Sequence, residues 1–396
     1  MTNGTSQGLF IVVAIIIFGI FTLTSYVLFK DNLKPTLANI FTNGFNQSTT
    51  ALNNGIILEN NINTDETNST IYKNQLYVKI RDKNESKNES EVWVLLEELK
   101  DATYAIKASG IENTSPIYNI YNPGISGSTS MTGDLILPDT INGKKITLIK
   151  EYAFYNSMFN GQLTLPKYLQ SIGFKAFYNS NFTGSLTLPD SLQSIEAHAF
   201  EYPNFSGELI LPDSLQSIGD SAFSGSKFTG SLTLPDSLQS IGANAFGYSN
   251  FTGSLTLPDS LQSIGYGAFN YSEFTGELIL PNNLSSIGAS AFSGSKFTGS
   301  LTLPDSLQSI GGSAFSGSKF TGSLTLPDSL QSIGGFAFNS SKFSGTLDIS
   351  KVTNIGAYAF EKSAISTVKN DSLNNNNKTI DRNAIRMDDG SYYRIN

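Results

Sequence analysis

Few side chains in this chain could carry out catalysis. It contains one histidine, His198, and no cysteine. Hydrolysis by serine, histidine and aspartate needs an oriented imidazole beside a distinguished nucleophile. His198 instead occupies a variable slot of a repeated motif, where other copies have Ser221, Asn244 or Gly267, and the many serines are equivalent to one another. Without cysteine, thiol catalysis, disulfide bonds and cysteine-ligated metals are excluded. The sequence therefore predicts neither an enzyme nor a cofactor.

A row of carboxylates is the second feature that could do chemistry. An aspartate follows the proline in most copies of the motif, and stacked copies would place these carboxylates about 5 Å apart. Such a row could recruit Ca²⁺. Lys167 and Asn282 interrupt it, which favours the alternative that each aspartate hydrogen-bonds its own turn. We therefore expect no metal site, with calcium as the weaker alternative. The row comprises Asp190, Asp213, Asp236, Asp259, Asp305 and Asp328.

Net charge limits the choice of partner. The chain has 33 acidic and 25 basic residues, a formal net charge of -8 and a pI near 4.8. A protein that follows a nucleic acid backbone needs a basic stripe that releases counterions. We therefore expect no nucleic acid partner.

An internal repeat decides the fold class. Prolines recur every 23 residues, and the pattern around each reads FTGSLTLPDSLQSIGxxAFxxS. About ten copies span residues 131–365, counting atypical ones at Pro138 and Ser350. Repeats of this length cannot bury their apolar residues alone, so they must stack into a solenoid with capped ends. The regular prolines are Pro166, Pro189, Pro212, Pro235, Pro258, Pro281, Pro304 and Pro327.

The motif also predicts what each copy contributes to the solenoid. In GSLTL, residues 230–234, leucines alternate with polar residues, so we expect a half-buried strand whose stacked copies form a parallel sheet. Short turns or helical pieces should connect these strands. Phe223, Phe246 and Phe269 should form a ladder of rings along the axis. The glycine after the isoleucine, as at Gly219, should permit a tight bend.

These repeats resemble the BspA type of leucine-rich repeat. In that type a short strand ends in Ile-Pro or Leu-Pro and S-L/V-x-x-I-G-x-x-A-F follows, as in LTLPDSLQSIGANAF at residues 232–246. The resemblance covers residues 131–365. It implies a leucine-rich-repeat solenoid, with one parallel β strand per repeat, on a cell-surface protein that adheres or binds host proteins. Members usually have cysteine a few residues after Ala-Phe, whereas this chain has serine, as at Ser249.

Candidate binding residues follow from the predicted stacking. The outward position near the end of each strand should form the flattest surface, and tyrosines in the turn after Ala-Phe should add exposed rings. We predict that a protein or glycan on a host or neighbouring cell binds here. A solvated sheet without a ligand is the alternative. The predicted residues are Thr187, Ile210, Thr233, Thr256, Ile279, Thr302, Thr325, Tyr202, Tyr248 and Tyr271.

The N-terminal region predicts attachment to a membrane. Residues 8–29 form an uncharged run of 22 residues, which as a helix spans a hydrocarbon core of about 30 Å. The leader before it has no lysine or arginine, which argues against a cleaved signal peptide. We therefore predict a single transmembrane anchor within residues 1–42.

Composition changes several times after the anchor. Residues 43–70 are rich in asparagine and threonine and predict a flexible stalk. Residues 71–114 predict a small α+β module or collar, with Trp93 as a core anchor. Residues 115–130 predict a linker, and residues 366–396 a C-terminal cap or tail.

Two functions remain open at this stage. The first is a membrane-anchored surface protein that binds or adheres to a protein or glycan. The second is a non-catalytic structural or scaffold component of a membrane or conjugation-type assembly. Lys30 and Lys34 alone would place the repeats in the cytoplasm, but large domains cross membranes largely regardless of such charges. With the family resemblance, we expect a single-pass membrane protein with extracellular repeats.

Overall fold

Successive repeats stack as turns of a parallel β solenoid in the computed structural model. The structure describes residues 61–62, 69–72, 75–81, 84–87, 92–108, 132–371 and 378–394. The predicted solenoid of about ten turns with 23-residue repeats is confirmed. The predicted anchor at residues 8–29 and linker at residues 115–130 lie outside the described residues. Within the described ranges, no helix is long and apolar enough to cross a membrane.

The N-terminal part of the described chain is an all-β cap. Its elements are β1 (Asn61–Ile62), β2 (Ser69–Tyr72), β3 (Gln75–Arg81), a 3-10 turn (Glu85–Lys87), β4 (Val92–Glu98) and β5 (Tyr104–Lys107). Strands β2 to β5 pair antiparallel in sequence order. The α-helical element predicted within residues 71–114 is therefore replaced, among the described residues, by a turn and a strand. Strands also occur at residues 61–62 and 69–70, inside the predicted stalk.

The solenoid is built from short strands. In chain order they are β6 (Leu135–Ile136), β7 (Thr140–Ile141), β8 (Lys144–Ile149), β9 (Leu163–Thr164), β10 (Ser171–Ile172), β11 (Ser194–Ile195), β12 (Ser206–Gly207), β13 (Ser217–Ile218), β14 (Lys227–Phe228), β15 (Leu232–Thr233), β16 (Ser240–Ile241), β17 (Leu255–Thr256), β18 (Ser263–Ile264), β19 (Thr275–Gly276), β20 (Ser286–Ile287), β21 (Lys296–Gly299), β22 (Ser309–Ile310), β23 (Lys319–Gly322), β24 (Ser332–Ile333), β25 (Lys342–Asp348), β26 (Asn354–Ile355), β27 (Phe360–Lys369), β28 (Thr379–Ile380) and β29 (Ile385–Met387).

The continuous ladder runs through the Ser-Ile strands, not through the Leu-Thr strands as the sequence predicted. From β8 through β10, β11, β13, β16, β18, β20, β22, β24, β26 and β28, each strand pairs parallel with the next. The predicted alternation of the Leu-Thr strand is correct, because Leu232 and Leu234 are buried and Thr233 is exposed. In the described part this strand pairs as β6 with β9, as β15 with β17, through one bridge from Thr187 to Ile210, and at the last repeat as the end of β25 with β27. Proline ends these strands since it has no N–H.

The glycine that follows most Ser-Ile strands allows successive turns to pack closely. The sequence had predicted a tight bend at this glycine. Gly219 and Gly242 do not adopt positive φ. A Cβ atom on Gly219 would lie 2.4 Å from the backbone nitrogen of Ala197 in the preceding turn. The left-handed residue comes two positions later, as at Ser221 with φ 52°. Glycine therefore suits the close approach of the two backbones at most of these positions, whereas Glu196 stands at the equivalent position after β11.

Two ladders of phenylalanine rings fill the core. The predicted stacking of Phe223, Phe246 and Phe269 is confirmed, with centroids 5.5 Å apart in both pairs. A second ladder includes Phe251 and Phe274, which are stacked at 5.5 Å. Within a turn the two ladders meet edge to face, the geometry that the ring quadrupole favours. All these rings are fully buried.

A column of buried serines occupies the place where BspA-type repeats usually have cysteine. Ser226 Oγ donates to Ser249 Oγ at 3.0 Å, and Ser249 Oγ to the carbonyl of Phe223 at 3.2 Å. Ser295 and Ser318 are fully buried, and their hydroxyls have no hydrogen-bond partner in the described structure. The hydroxyls of this column are therefore only partly hydrogen-bonded. Each buried hydroxyl without a partner costs free energy.

The N-terminal cap closes the first turn. Strand β5 pairs parallel with β8, and Val78, Val94 and Ile106 join the solenoid core. Lys150 in the first turn forms an ion pair with Glu97 of the cap at 2.7 Å. Trp93, predicted as a core anchor, is half-buried and packs in a separate small cluster with Tyr77 and Leu95.

The ladder continues past residue 365, where the sequence placed the end of the solenoid. Strand β28 pairs with β26, and Ala384 and Ile385 are fully buried as a last Ala-Phe-like step. Lys378 Nζ donates to the carbonyls of Ile349 and Ser350 at 2.8 and 3.1 Å. The described C-terminal residues thus form a closing turn.

We expect Phe246→Ala to lower the free energy of unfolding by about 3–5 kcal/mol, because it removes ring contacts in both ladders and leaves a cavity. Urea denaturation followed by circular dichroism measures this. Phe336→Ser, at an exposed ring, is the matched control and should change stability by no more than about 1 kcal/mol. Equal effects of the two substitutions would contradict the assigned core.

Ser318→Ala should raise the free energy of unfolding by about 1 kcal/mol, because it removes a buried hydroxyl that has no partner. Ser226→Ala in the same column should lower it by about 1 kcal/mol, because the bond to Ser249 is lost. The same denaturation measurement applies. If both substitutions shift stability in one direction, the hydrogen bonding of the column is not as described.

The junction between the cap and the first turn should weaken in acid. The hydrogen bond from Lys150 lowers the pKa of Glu97, Lys107 lowers it further, and burial opposes both. Because the folded pKa is lowered, the stabilisation is present above the ordinary value of about 4.3 and is lost as the pH falls through the folded pKa. The thermal midpoints of wild type and Glu97→Gln should differ near neutral pH and converge below about pH 3. The control Glu277→Gln should show no such convergence; a constant gap for Glu97→Gln would refute the assignment.

Candidate binding surfaces

The outward positions of the Leu-Thr strands form one exposed row, here called the threonine row. Thr187 lies beside Ile210 and Thr233 beside Thr256 on parallel neighbours. Two members are exposed isoleucines, Ile210 at 65% and Ile279 at 77%. The remaining members, Thr302 and Thr325, are exposed as well. The structure therefore places all seven predicted strand residues at the surface.

The three predicted tyrosines lie in a different segment of the turn, two residues after the buried phenylalanine. Tyr202, Tyr248 and Tyr271 are all more than half exposed and adopt left-handed φ of 54°, 57° and 55°. Tyr248 stacks on Tyr271 with centroids 5.2 Å apart. Tyr202 instead leans over Gly225 of the next turn, where an added Cβ would lie 2.6 Å from the ring. Only two of the three rings are thus brought together.

A cluster of rings in the first three turns escaped the prediction. Tyr155 stacks on Tyr178 at 5.1 Å, and Tyr178 meets Tyr202 edge to face at 6.1 Å. Tyr152 contacts Phe174 at 5.5 Å. Alignment of the repeats shows that Tyr155 and Tyr178 fall next to the column of the predicted tyrosines, so that signal was present in the sequence, whereas Tyr152 and Phe174 fall in and next to the column of His198.

His198 belongs to the same cluster. Its Nδ1 lies 2.6 Å from Glu201 Oε2, and its ring meets Phe174 edge to face. Burial, followed by the nearby Glu201 carboxylate, raises the pKa of Tyr178. The carboxylate holds the imidazole in one orientation, and no serine hydroxyl of the described chain is bonded to it.

The aspartates of the carboxylate row are exposed. Where they make hydrogen bonds across the solenoid, the donor lies in the next turn rather than in their own. Asp259 accepts from the backbone N–H of Asn282 at 3.4 Å. Asp139, which follows Pro138 in the first turn, accepts from the backbone N–H of Lys167 at 2.7 Å. Among the described residues, no three histidine or carboxylate side chains are grouped as metal ligands.

The Ser-Ile ladder lines two recesses that the sequence did not predict as sites. One, of 590 Å³, is bounded by residues from Ile287 to Asp381, and the other, of 520 Å³, by residues from Phe174 to Gly242. Their floors are mainly serine, isoleucine and glycine. Such floors offer backbone and hydroxyl groups, and the lining of each recess includes one carboxylate, Asp381 in the first and Glu196 in the second.

The family model of the BspA type leucine-rich repeat region matches residues 147–275, 205–299 and 272–389, as six copies. The chain belongs to this family. The resemblance seen in the sequence is therefore confirmed. No curated protein matches the chain.

Several solved structures are similar to this BspA-type chain. A leucine-rich repeat protein from Bacteroides ovatus is 17% identical, covers 80% of this chain and 78% of its own, and has a TM-score of 0.42. A leucine-rich cell surface protein from Faecalibacterium prausnitzii is 17% identical, with 73% and 96% covered and a TM-score of 0.35. A leucine-rich repeat protein from T. pallidum is 21% identical, with 55% and 86% covered and a TM-score of 0.34.

Proposed function

We propose that this BspA-type protein is a non-catalytic, membrane-anchored surface protein whose exposed turns and threonine row bind a protein or glycan of another cell. The observation that carries the proposal is the exposure of the aromatic rings of Tyr202, Tyr248 and Tyr271. Each is a large exposed ring at left-handed φ. Non-glycine residues in that region cost about 1–2 kcal/mol each.

The solenoid itself does not need these rings. Gly225, Gly294 and Gly317 occupy the same position in other turns, also at positive φ, while the buried phenylalanines beside them are unchanged. The turn itself sets the left-handed φ, because Asn179 and Ser340 share it at this position. What the fold does not require is the large exposed ring, and we take the ring as a surface kept for binding. Exposed aromatic rings also contribute most of the energy in many interfaces.

The threonine row supports the same proposal. Ile210 and Ile279 expose apolar area at positions where threonine serves equally well in the neighbouring turns. Burial of such area by a partner is favourable, by about 25 cal/mol per Å². The proposed binding surface therefore combines the tyrosine rings on one segment of the turn with the isoleucine side chains of the threonine row on another.

Cells that produce the full chain should be retained on at least one surface in a panel of immobilised host matrix proteins and cell-wall glycans. Tyr202→Gly, Tyr248→Gly and Tyr271→Gly together should reduce retention by roughly tenfold, because the rings supply contact area. Protease treatment of intact cells should abolish it. Retention is measured by cell counts after washing.

The glycine variant is matched to the fold, since the chain already has glycine at this position, and its thermal midpoint should equal that of wild type within a few degrees. Ile210→Thr with Ile279→Thr tests the threonine row in the same way. If cells with and without the chain are retained equally on every surface, the proposed function is wrong.

A further inference from the structure

Three exposed tyrosines belong to two adjacent turns and are here called the tyrosine patch: Tyr248, Tyr266 and Tyr271. They are 56%, 55% and 60% exposed, and Tyr248 and Tyr271 stack at 5.2 Å. The turns on either side of this pair of turns have Ser-Gly after the phenylalanine instead. The patch is thus a local departure from an otherwise uniform surface, and the fold does not require it.

Two rings of the second turn, Phe174 in the column of Tyr266 and Tyr178 next to the column of Tyr248, are covered by an amine of the chain itself. Lys175 Nζ lies 5.0 Å from the ring centroid of Tyr178 and 5.2 Å from that of Phe174. Ammonium groups are attracted to the faces of aromatic rings at such distances. The residues equivalent to Lys175 in the two turns of the patch are Asn244 and Gly267, which carry no charge. Among the described residues, no cation lies over the patch.

The surrounding turns are strongly acidic. Residues 181–348 contain 13 acidic and 4 basic residues, so their net charge is 4 − 13 = −9. The rest of the chain has 20 acidic and 21 basic residues, a net charge of +1. The patch therefore lies in the segment that carries all of the net negative charge. Such a segment attracts cations and repels acidic glycans and nucleic acids.

We propose that the tyrosine patch binds lysine or arginine side chains of a basic segment on a partner protein. The partner's cation takes the position over the rings that Lys175 takes in the second turn, and the acidic turns steer the partner towards it. This inference rests on the proposed function and names the chemistry of the partner.

Titration of the purified full chain with a Gly-Arg repeat peptide, followed by calorimetry, tests the proposal. The wild type should bind it, and a Gly-citrulline peptide, which has the same shape without charge, should not bind. Tyr248→Gly with Tyr271→Gly should weaken binding by roughly tenfold, and Tyr248→Phe with Tyr271→Phe should retain it, since the ring face is kept. Binding should also weaken as NaCl rises to about 1 M.

Two further variants separate the patch from general acidity. Phe336→Ser removes an exposed ring outside the patch and should leave affinity unchanged. Lys175→Gly uncovers Tyr178 and Phe174 and should add a second site for the peptide. Equal affinity of the glycine variant and wild type, or a neutral glucan that binds the patch while the Gly-Arg peptide does not, would overturn the proposal.

Failure of this proposal can be told apart from failure of the proposed function. If cells bearing the chain adhere to the panel surfaces but neither the tyrosines nor the peptide charge matter, the function stands and the patch is not a cation site. If the cells adhere to none of the surfaces, the proposed function itself fails.

Discussion

Each regular turn of the solenoid buries two phenylalanine rings, which stack on the same two rings of the turns before and after it. A single turn cannot hide such rings, so no repeat has a core of its own and stability comes from the contacts between neighbours. This constraint sets the 23-residue spacing, because an insertion within a regular turn would move a ring out of its ladder. It also explains why both ends need a cap. Val94 and Ile106 cover the first turn, and Ile385 continues the ladder at the last.

Uniform stacking leaves the outward positions free to vary. Ser-Gly, Asn-Tyr and Gly-Tyr all follow the buried phenylalanine in different turns, and the backbone is left-handed at the second residue in each case. Glycine fits that conformation without strain, whereas tyrosine does not. The core therefore does not determine which residue stands at these positions. The exposed isoleucines of the threonine row likewise stand at positions where neighbouring turns have threonine.

Charge is distributed as unevenly as the rings. The turns from residue 181 to residue 348 hold all of the net negative charge, while the first two turns place lysines over their own aromatic rings. At one end of the solenoid, lysines of the chain thus lie over the aromatic rings. In the middle, the tyrosine rings are exposed to solvent. This difference distinguishes the middle turns from otherwise equivalent turns of a repetitive surface.

The sequence by itself determined the solenoid, its period and the rings of its core, because a strict repeat of Leu, Ile, Ala and Phe can be buried only by stacking. It also placed Ile210 and Tyr248 at the surface, since alternation and turn position indicate exposure. Only the tertiary structure decided which strand forms the continuous ladder. The residues of one repeat do not specify at which strand the backbones of neighbouring turns come within hydrogen-bonding distance. The pairing of Tyr248 with Tyr271, and of Lys175 with Tyr178, was likewise decided between turns, because it depends on ring and amine orientations that the column pattern leaves undefined.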